Sequence, residues 1–206
     1  MRSDWDSRAR EDYKLHIATG HSASDETFQA SGRRDLETVI LDGIDLDPSG
    51  IGLEIGCGVG RLLVPLSERI AMVRGVDISP VMVEKSREYC AGRKNVRVEL
   101  TDGSLRTIQS RSIDFAFSFI VFQHIPDRAP IQAYVREVAR CLRQGGLFRF
   151  QIDGRWERFR DRPPDTYEGV KLSPATGKNV IAVSPTGNFI IRRSPKLRHA
   201  ATAGRW

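Results

Sequence analysis

The sequence predicts an α/β fold with a doubly wound, mostly parallel sheet and helices on both of its faces. Short apolar segments alternate with amphipathic segments through the middle of the chain, which is the pattern of strands that alternate with helices. A glycine-rich turn at 56–60 directly follows the apolar segment 51–55, as it does where a strand turns into a helix. With 206 residues, the chain can bury a substantial core without disulfide bonds.

The amino-terminal residues, 1–47, predict a charged helical cap. We expect its helix to begin near Ser31 or Gly32. The helix then directs four apolar side chains onto the sheet: Leu36, Val39, Ile40 and Ile44.

The middle of the chain, 48–152, predicts a nucleoside-binding core. Its strands are expected at these positions: 51–55, 73–77, 96–102, 113–120 and from Leu147 onward. Ser79 and Pro80 indicate the cap and first position of the helix that follows the second strand. The helix before the fifth strand carries one apolar stripe: Ile131, Val135, Val138 and Leu142. Gly145 and Gly146 then supply the turn into that strand.

Charge and composition limit the partners. The net charge of +6 comes from the carboxyl-terminal end, since all 26 acidic residues lie at or before Glu168 and seven basic residues lie beyond it. Without those seven the chain has 25 basic and 26 acidic residues, so we predict a solvated basic tail rather than nucleic-acid binding. No signal peptide or membrane span is recognisable, which predicts a cytoplasmic protein without a membrane partner.

Metal binding and disulfide formation are not predicted. The three cysteines, Cys57, Cys90 and Cys141, have neither paired spacing nor the spacing of zinc ligands. We therefore expect reduced thiols and no metal.

The glycine turn and Asp77 together predict an adenosine-containing ligand. Glycines let the backbone turn sharply and approach a ligand that a Cβ atom would exclude. Asp77 ends the second strand, where a carboxylate can accept hydrogen bonds from both ribose hydroxyls. Arg61 stands where a dinucleotide site has its third glycine, so a nicotinamide-dependent oxidoreductase is the less favoured hypothesis.

The pattern Glu54-x-Gly56-x-Gly58-x-Gly60 resembles motif I of the class I S-adenosylmethionine-dependent methyltransferases. Further segments resemble the family in the same order, at 73–79, 96–103, 113–127 and 141–148. The resemblance implies a Rossmann-like fold in one domain over 1–206, with S-adenosylmethionine as cofactor and S-adenosylhomocysteine as product. It implies these cofactor-binding residues: Glu54, Gly56, Cys57, Gly58, Gly60, Asp77, Ile78, Asp102, Gly103 and Phe119.

Several of these residues have a second, local interpretation. Asp77 could cap the turn that follows it, and Asp102 could initiate the turn at Gly103. Phe119 and Ile120 either flank the adenine or pack in the core.

Candidate acceptor-side residues come from the cap and from the segment after the fourth strand. Family members often place their amino-terminal segment over the cofactor, so Tyr13 or His16 either faces substrate or packs within the cap. His124 follows the fourth strand, near where the family places the transferable methyl group. It is the candidate general base, because histidine takes up protons near neutral pH, and the alternative is a structural role. Gln123 could instead orient the acceptor.

The carboxyl-terminal segment, 153–206, departs from the family pattern. Family members complete the sheet with an antiparallel hairpin of strands six and seven. Here 153–167 indicates a loop or short helix, 180–183 is ambiguous, and 188–192 is the candidate sixth strand. Since 194–206 has little strand character, strand seven is missing, truncated or unrecognisable, and we predict atypical or truncated carboxyl-terminal strands.

The predicted function is methyl transfer from S-adenosylmethionine to a small-molecule oxygen or nitrogen acceptor. Methyl transfer from a sulfonium depends mainly on orientation and exclusion of water. The alternative is a methyltransferase-like protein that binds the donor without turnover.

Overall fold

The computed structural model describes residues 2–17, 24–151, 181–183 and 188–192. The helices in these ranges are α1 (Arg2–Ile17), α2 (Asp25–Asp35), α3 (Leu63–Leu66), α4 (Pro80–Tyr89) and α5 (Arg128–Cys141). The strands are β1 (Ile51–Ile55), β2 (Met72–Asp77), β3 (Val96–Leu100), β4 (Ile113–Ser118), β5 (Leu142–Gln151), β6 (Ile181–Val183) and β7 (Asn188–Arg192).

All seven strands form one sheet with the order β3-β2-β1-β4-β5-β7-β6. The first five pair in parallel, and β7 is antiparallel to both β5 and β6. The sheet confirms the predicted doubly wound, mostly parallel α/β fold. The strand order turns back at β1, which pairs with β2 on one side and β4 on the other. Ligands of open α/β sheets bind at the carboxyl ends of strands at such a switch point.

Each face of the sheet has its own apolar core. On one face α5 packs over β1, β4 and β5, with Val138, Cys141 and Leu142 buried and Ile131 and Val135 partly buried. This confirms the predicted apolar stripe, although α5 ends at Cys141, so that Leu142 already belongs to β5. The opposite core collects apolar residues from three helical segments and the sheet: Leu36, Ile40, Leu63, Leu66, Val73, Val83, Phe115 and Phe117.

The cap helix begins earlier than predicted. Ser24 is extended and its hydroxyl accepts the backbone N–H of Thr27 at 3.1 Å, so α2 starts at Asp25. Asp25 and Glu26 favour this start because negative charge stabilises the amino-terminal turn of a helix. The predicted start near Ser31 or Gly32 was therefore wrong.

The helix continues past α2 as a π-helical segment, Leu36–Ile40. Leu36 and Ile40 are buried and Val39 and Ile44 pack against the same core, which confirms the apolar face predicted for the cap. Arg149 of β5 donates to the carbonyl oxygens of Ile40 (3.1 Å) and Asp42 (2.8 Å) and so satisfies the end of this helix.

The first helix, α1, joins α2 and α4 in a separate apolar cluster. Ala9 is buried there with Phe28 and Met82. The Tyr13 ring meets Phe28 edge to face, with 6.1 Å between ring centroids, and so packs within the cap. The side chain of His16 lies outside the described residues, so its role stays a prediction.

The carboxyl-terminal hairpin is present, and both of its strands lie before 194–206, the segment with little strand character. Residues 188–192 form β7, the seventh strand, and pair with both β5 and the short sixth strand, β6. The sixth strand was hard to recognise because only three residues, 181–183, form it. In that respect the carboxyl-terminal strands are truncated, as predicted. The predicted loop or helix at 153–167 and the basic tail lie outside the described residues.

Candidate active site

A cavity of about 280 Å³ opens at the carboxyl ends of β1, β2 and β4. Ten of the eleven predicted site residues line it: Glu54, Gly56, Cys57, Gly58, Asp77, Ile78, Asp102, Gly103, Phe119 and His124. Gly60 does not. A Cβ atom at Gly60 would lie 2.7 Å from the Ser86 hydroxyl and 2.8 Å from the Cys90 thiol, so its glycine serves the packing of the turn on α4.

The glycine turn requires glycine for both its backbone and its neighbours. Gly56 and Gly58 have φ angles of +72° and +53°, which glycine adopts more readily than other residues. A Cβ atom at Gly56 would lie 2.5 Å from the Val121 side chain, and one at Gly58 would lie 3.1 Å from Ile17. Cys57 between them is buried, and burial raises the pKa of its thiol well above the ordinary value. The thiol is therefore a neutral part of the wall.

Asp77 connects the glycine turn to the end of β2. One carboxylate oxygen accepts the backbone N–H of Gly58 and the other that of Ser79, each at 2.9 Å. Burial raises the pKa of Asp77, and these two hydrogen bonds partly oppose the rise. The hydrogen bond from the Ser79 N–H is the one expected if Asp77 caps the turn that follows it. Because each carboxylate oxygen has two acceptor positions, both keep capacity for a ligand hydroxyl.

Glu54 places a second buried carboxylate in the cavity wall. Its side chain is 3% exposed, and its Oε2 atom has no hydrogen-bond partner. Burial raises its pKa well above the ordinary carboxyl value, Arg61 opposes this rise, and Asp77 adds to it. A buried acceptor without a partner is costly, so this position suits a cationic or donor group of a ligand.

Arg61 is a cavity residue to which the sequence analysis gave no role in the site. It is 4% exposed, and it donates from Nη1 to Asp35 (2.7 Å) and Ser31 (3.1 Å). Its Nε atom has no partner. Its place in the sequence, at the third-glycine position of a dinucleotide site, was used only to exclude that cofactor. The sequence did offer one signal of a role in the site, because Arg61 is a large cation at a turn position where a dinucleotide site has glycine.

Asp102 and Gly103 follow β3 at the edge of the cavity. Asp102 is exposed, and its Oδ1 atom accepts the backbone N–H of Ser104 at 2.9 Å, which is the geometry of the local turn interpretation. Gly103 has a φ of +101°. Adenine binding by Asp102 stays a prediction.

The end of β4 forms the opposite side of the cavity. The strand ends at Ser118 rather than at Ile120 as predicted, because Ile120 takes a φ of +57° and cannot continue it. Phe119 both packs on the core and lines the cavity. Val121 and His124 follow on the same side.

Helix α1 covers the cavity from above. The Trp5 ring meets the His124 ring edge to face, with 5.3 Å between centroids. Asp6 pairs with the Ser79 hydroxyl, and Arg2 reaches the carbonyl of Thr101 at 3.4 Å. Trp5 and Ile17 line the cavity directly. The sequence could not show these contacts, since most of them join residues more than seventy positions apart.

We predict that the substitution Glu54→Gln raises the melting temperature of the ligand-free protein at pH 7 to 8. A carboxyl group whose pKa is raised by folding binds its proton more tightly in the folded state. Its contribution to the stability of the fold is therefore fully present below the pKa of the unfolded chain and is lost as the pH rises. Glutamine keeps the shape without the buried charge. Thermal melts of both proteins between pH 4 and 8 should diverge with increasing pH.

The matched control for this prediction is Glu68→Gln. Hydrogen bonding to Arg33 lowers the pKa of Glu68, so that carboxylate is favourable at neutral pH and its loss should leave stability unchanged or slightly lower. A Glu54→Gln variant that melts below the native protein at pH 8 would contradict the burial argument.

The described part of the chain has neither a metal-binding cluster nor a membrane-spanning helix. No set of three or more histidine, cysteine, aspartate or glutamate side chains there is arranged to hold a metal ion. Nor do the described ranges contain a helix long and apolar enough to span a bilayer.

Comparison with known families identifies the core. A family profile described as a methyltransferase domain matches residues 53–146, the segment that runs from within β1 into β5 and carries most of the cavity lining. Residues 53–146 are thus similar to methyltransferase domains, and S-adenosylmethionine is the cofactor that this similarity supports. The sheet and the glycine turn agree with the resemblance predicted from the motif at 54–60.

Curated relatives of this core include a protein of uncharacterised function and a methyltransferase. A protein of transposon Tn4556 from Streptomyces fradiae, of uncharacterised function, is 35% identical over 125 residues, which cover 59% of this chain and 35% of that protein. Aklanonic acid methyltransferase DauC from a Streptomyces species is 25% identical over 146 residues, 67% of this chain and 65% of DauC. The chain thus spans less than two thirds of the length of either relative.

A solved structure with the same fold is phosphoethanolamine N-methyltransferase 1 from Haemonchus contortus, in complex with phosphoethanolamine and S-adenosylhomocysteine. It superposes on 98% of this chain and 50% of its own with a TM-score of 0.69 at 16% identity. At that identity the similarity is one of fold.

The cavity fits the cofactor of this class on three observations. Two buried acidic side chains, Glu54 and Asp77, line the cavity and would face a molecule that carries an ammonium group, a sulfonium and a ribose diol. Glu54 has an oxygen that lacks a partner. The backbone at Gly56 and Gly58 leaves open space that Cβ atoms would fill.

Proposed function

We propose that the protein transfers a methyl group from S-adenosylmethionine to a small-molecule acceptor. The observation that carries this proposal is the single cavity in which the carboxylates of Glu54 and Asp77 face the glycine turn, while His124 lies at the end of the neighbouring strand β4. Curated relatives with small-molecule acceptors, such as aklanonic acid methyltransferase, support the class of reaction.

The donor is held by residues at the ends of three neighbouring strands. Asp77 accepts the ribose hydroxyls, and the backbone at Gly56 and Gly58 lies against the donor. Glu54 faces the ammonium group, whose charge supplies the partner that Oε2 lacks. Asp102, at the end of β3, accepts from the adenine amine at the rim.

The acceptor approaches from the β4 side. When bound, the cofactor supplies a methyl group on a sulfonium, which is already a good leaving group, so the protein has to orient the acceptor and exclude water. Trp5 and Ile17 of α1 close the cavity toward solvent. His124 takes the proton from an acceptor hydroxyl at its ring nitrogen, and the edge of Trp5 holds the ring in place.

The oxidoreductase hypothesis has less support. Arg61 occupies the third-glycine position, is buried, and is tied to Asp35 and Ser31. A pyrophosphate needs close backbone approach at that position.

The first test is titration calorimetry with S-adenosylhomocysteine, S-adenosylmethionine and NAD. We expect both sulfur ligands to bind one site with micromolar affinity and NAD to give no heat. The same protein is then assayed for S-adenosylhomocysteine formation with a panel of phenols and amines. A chain that is folded by circular dichroism and binds neither sulfur ligand would overturn the proposal. Donor binding without product from any acceptor would favour the binding-protein alternative.

We predict that His124→Gln lowers turnover about 100-fold while the affinity for S-adenosylhomocysteine stays within two-fold of native. Glutamine preserves polarity and approximate size but cannot accept a proton near neutral pH. The native rate should rise with pH through the neutral range, and the variant should lose that rise. Steady-state rates between pH 5.5 and 9, measured on the acceptor that gives product, check both expectations. Native-like turnover in the variant would assign His124 a structural role.

A further inference from the structure

Charged residues of the cavity are confined to one side of it. In the sheet order β3-β2-β1-β4, Asp102 follows β3, Asp77 ends β2, and Glu54 lies in β1. The next strand end, after β4, contributes Phe119, Ile120 and Val121 to the lining. The donor side thus carries three acidic side chains and the buried cation Arg61, which is paired with Asp35, whereas the described lining that follows β4 is apolar.

The other groups near the β4 side preserve this apolar character. Trp5, Ile125 and Pro130 add to the described lining there, and its polar groups are His124 and the hydroxyl of Tyr134, whose ring stacks on Phe122. Arg8 lies over the Trp5 ring, with its guanidinium carbon 5.0 Å from the centroid. It pairs with Asp4 at 3.2 Å and does not line the cavity.

Ile120 holds an unfavourable backbone conformation at this position. Its φ of +57° is in the left-handed region, which disfavours a β-branched residue. Its neighbours are fixed on both sides: the Ser118 hydroxyl donates to the Ile55 carbonyl at 3.2 Å, and Val121 packs against Gly56. The side chain is nevertheless 37% exposed at the cavity. Such strain persists where surrounding structure imposes it, and it is frequent at ligand-binding positions.

We propose that the acceptor is an uncharged, largely apolar molecule that presents a hydroxyl group, and that Ile120 contacts its apolar body and selects it against charged acceptors. This inference rests on the proposed function. A charged acceptor would lose its hydration at a wall whose described residues after β4 offer no countercharge, whereas an apolar body gains by burial against Ile120 and Trp5.

Methylation of such an acceptor needs only the donor and His124. The acceptor oxygen forms the bond to the methyl carbon as the carbon–sulfur bond breaks, and that electron pair stays on sulfur to give a neutral thioether. The hydroxyl proton passes to His124 and from there to solvent.

The test uses two probes with the same aromatic body, 2-naphthol and 6-hydroxy-2-naphthalenesulfonate. Binding is followed by naphthol fluorescence with the protein saturated with S-adenosylhomocysteine. We expect 2-naphthol to bind at least about ten-fold more tightly than the sulfonate, and to be the better substrate for methylation. Equal affinity, or preference for the sulfonate, would overturn the inference.

Variants of Ile120 test its part in selection. Ile120→Gly should weaken 2-naphthol binding about ten-fold without lowering the melting temperature, since glycine adopts the same φ without strain. Ile120→Lys should supply the missing countercharge to the sulfonate and abolish the preference for the uncharged probe. The matched control is Arg111→Gly, which removes the other positive-φ side chain of the described residues, at φ +56° and away from the cavity, and should leave both probes unaffected.

The outcomes separate this inference from the proposed function. Failure to bind S-adenosylhomocysteine would defeat the proposed function. Normal binding of it, with unchanged 2-naphthol affinity in Ile120→Gly, would defeat only the role of Ile120.

Discussion

Replacement of Asp77 by asparagine is expected to weaken S-adenosylmethionine binding by roughly 30- to 1,000-fold. The carboxylate accepts the N–H groups of Gly58 and Ser79 and is expected to accept the ribose hydroxyls as well. Asparagine keeps one acceptor oxygen and turns an amide donor toward one of those N–H groups. The loss of hydrogen bonds to a charged acceptor, together with a displaced glycine turn, amounts to about 2 to 4 kcal/mol. Titration calorimetry measures the change directly.

A matched control for Asp77→Asn is Asp47→Asn. Asp47 accepts the backbone N–H of the residue two positions later, Ser49, at 2.8 Å, as Asp77 does for Ser79, but it is exposed and does not line the cavity. Its replacement should leave donor affinity unchanged. If Asp77→Asn binds the donor as the native protein does, Asp77 serves only the turn, and the ribose contact is refuted.

Replacement of Gly56 by alanine should destabilise the fold by about 2 to 5 kcal/mol. A φ of +72° costs an alanine about 1 to 2 kcal/mol. The new Cβ atom would also lie 2.5 Å from the Val121 side chain, and overpacking of this kind costs about 1 to 3 kcal/mol. Urea unfolding at equilibrium measures the free energy, and the displaced Val121 should lower donor affinity in the same variant.

Two further variants separate the two costs. Gly43→Ala has nearly the same φ, +69°, but nothing lies within 4 Å of its Cβ position, so it should lose only the backbone part. Val121→Ala combined with Gly56→Ala should be less destabilised than the two single changes added together, because it removes the colliding atoms. Equal losses in Gly43→Ala and Gly56→Ala would show that the contact with Val121 relaxes freely.

The sequence predicted the parts of the site that depend on local backbone requirements. A strand, a tight glycine turn and a carboxylate at the end of the next strand leave a pattern within thirty residues, and Glu54, Gly56 and Asp77 lie together in the cavity as expected. Ser79 was recognisable as a helix cap for the same reason, since its bond to the Met82 N–H spans three residues.

The sequence did not predict features that depend on distant contacts. Trp5 meets His124, and Arg61 meets Asp35, only after the sheet has brought them together. Ile120 was assigned to the end of β4 because isoleucine favours strands, and the left-handed conformation is imposed by packing on either side. The sequence did not predict the hairpin of β6 and β7, because β6 has only three residues and so leaves almost no periodic pattern.

Helix α1 also has a kinetic consequence. Its residues Asp6 and Trp5 contact Ser79 on the donor side and His124 after β4, so we expect the helix to hinder ligand exchange while it stays in place. Lifting the helix breaks the Asp6–Ser79 and Arg2–Thr101 contacts together. We therefore expect departure of S-adenosylhomocysteine, rather than bond formation, to limit the rate of repeated turnover, so that the first turnover appears as a rapid burst.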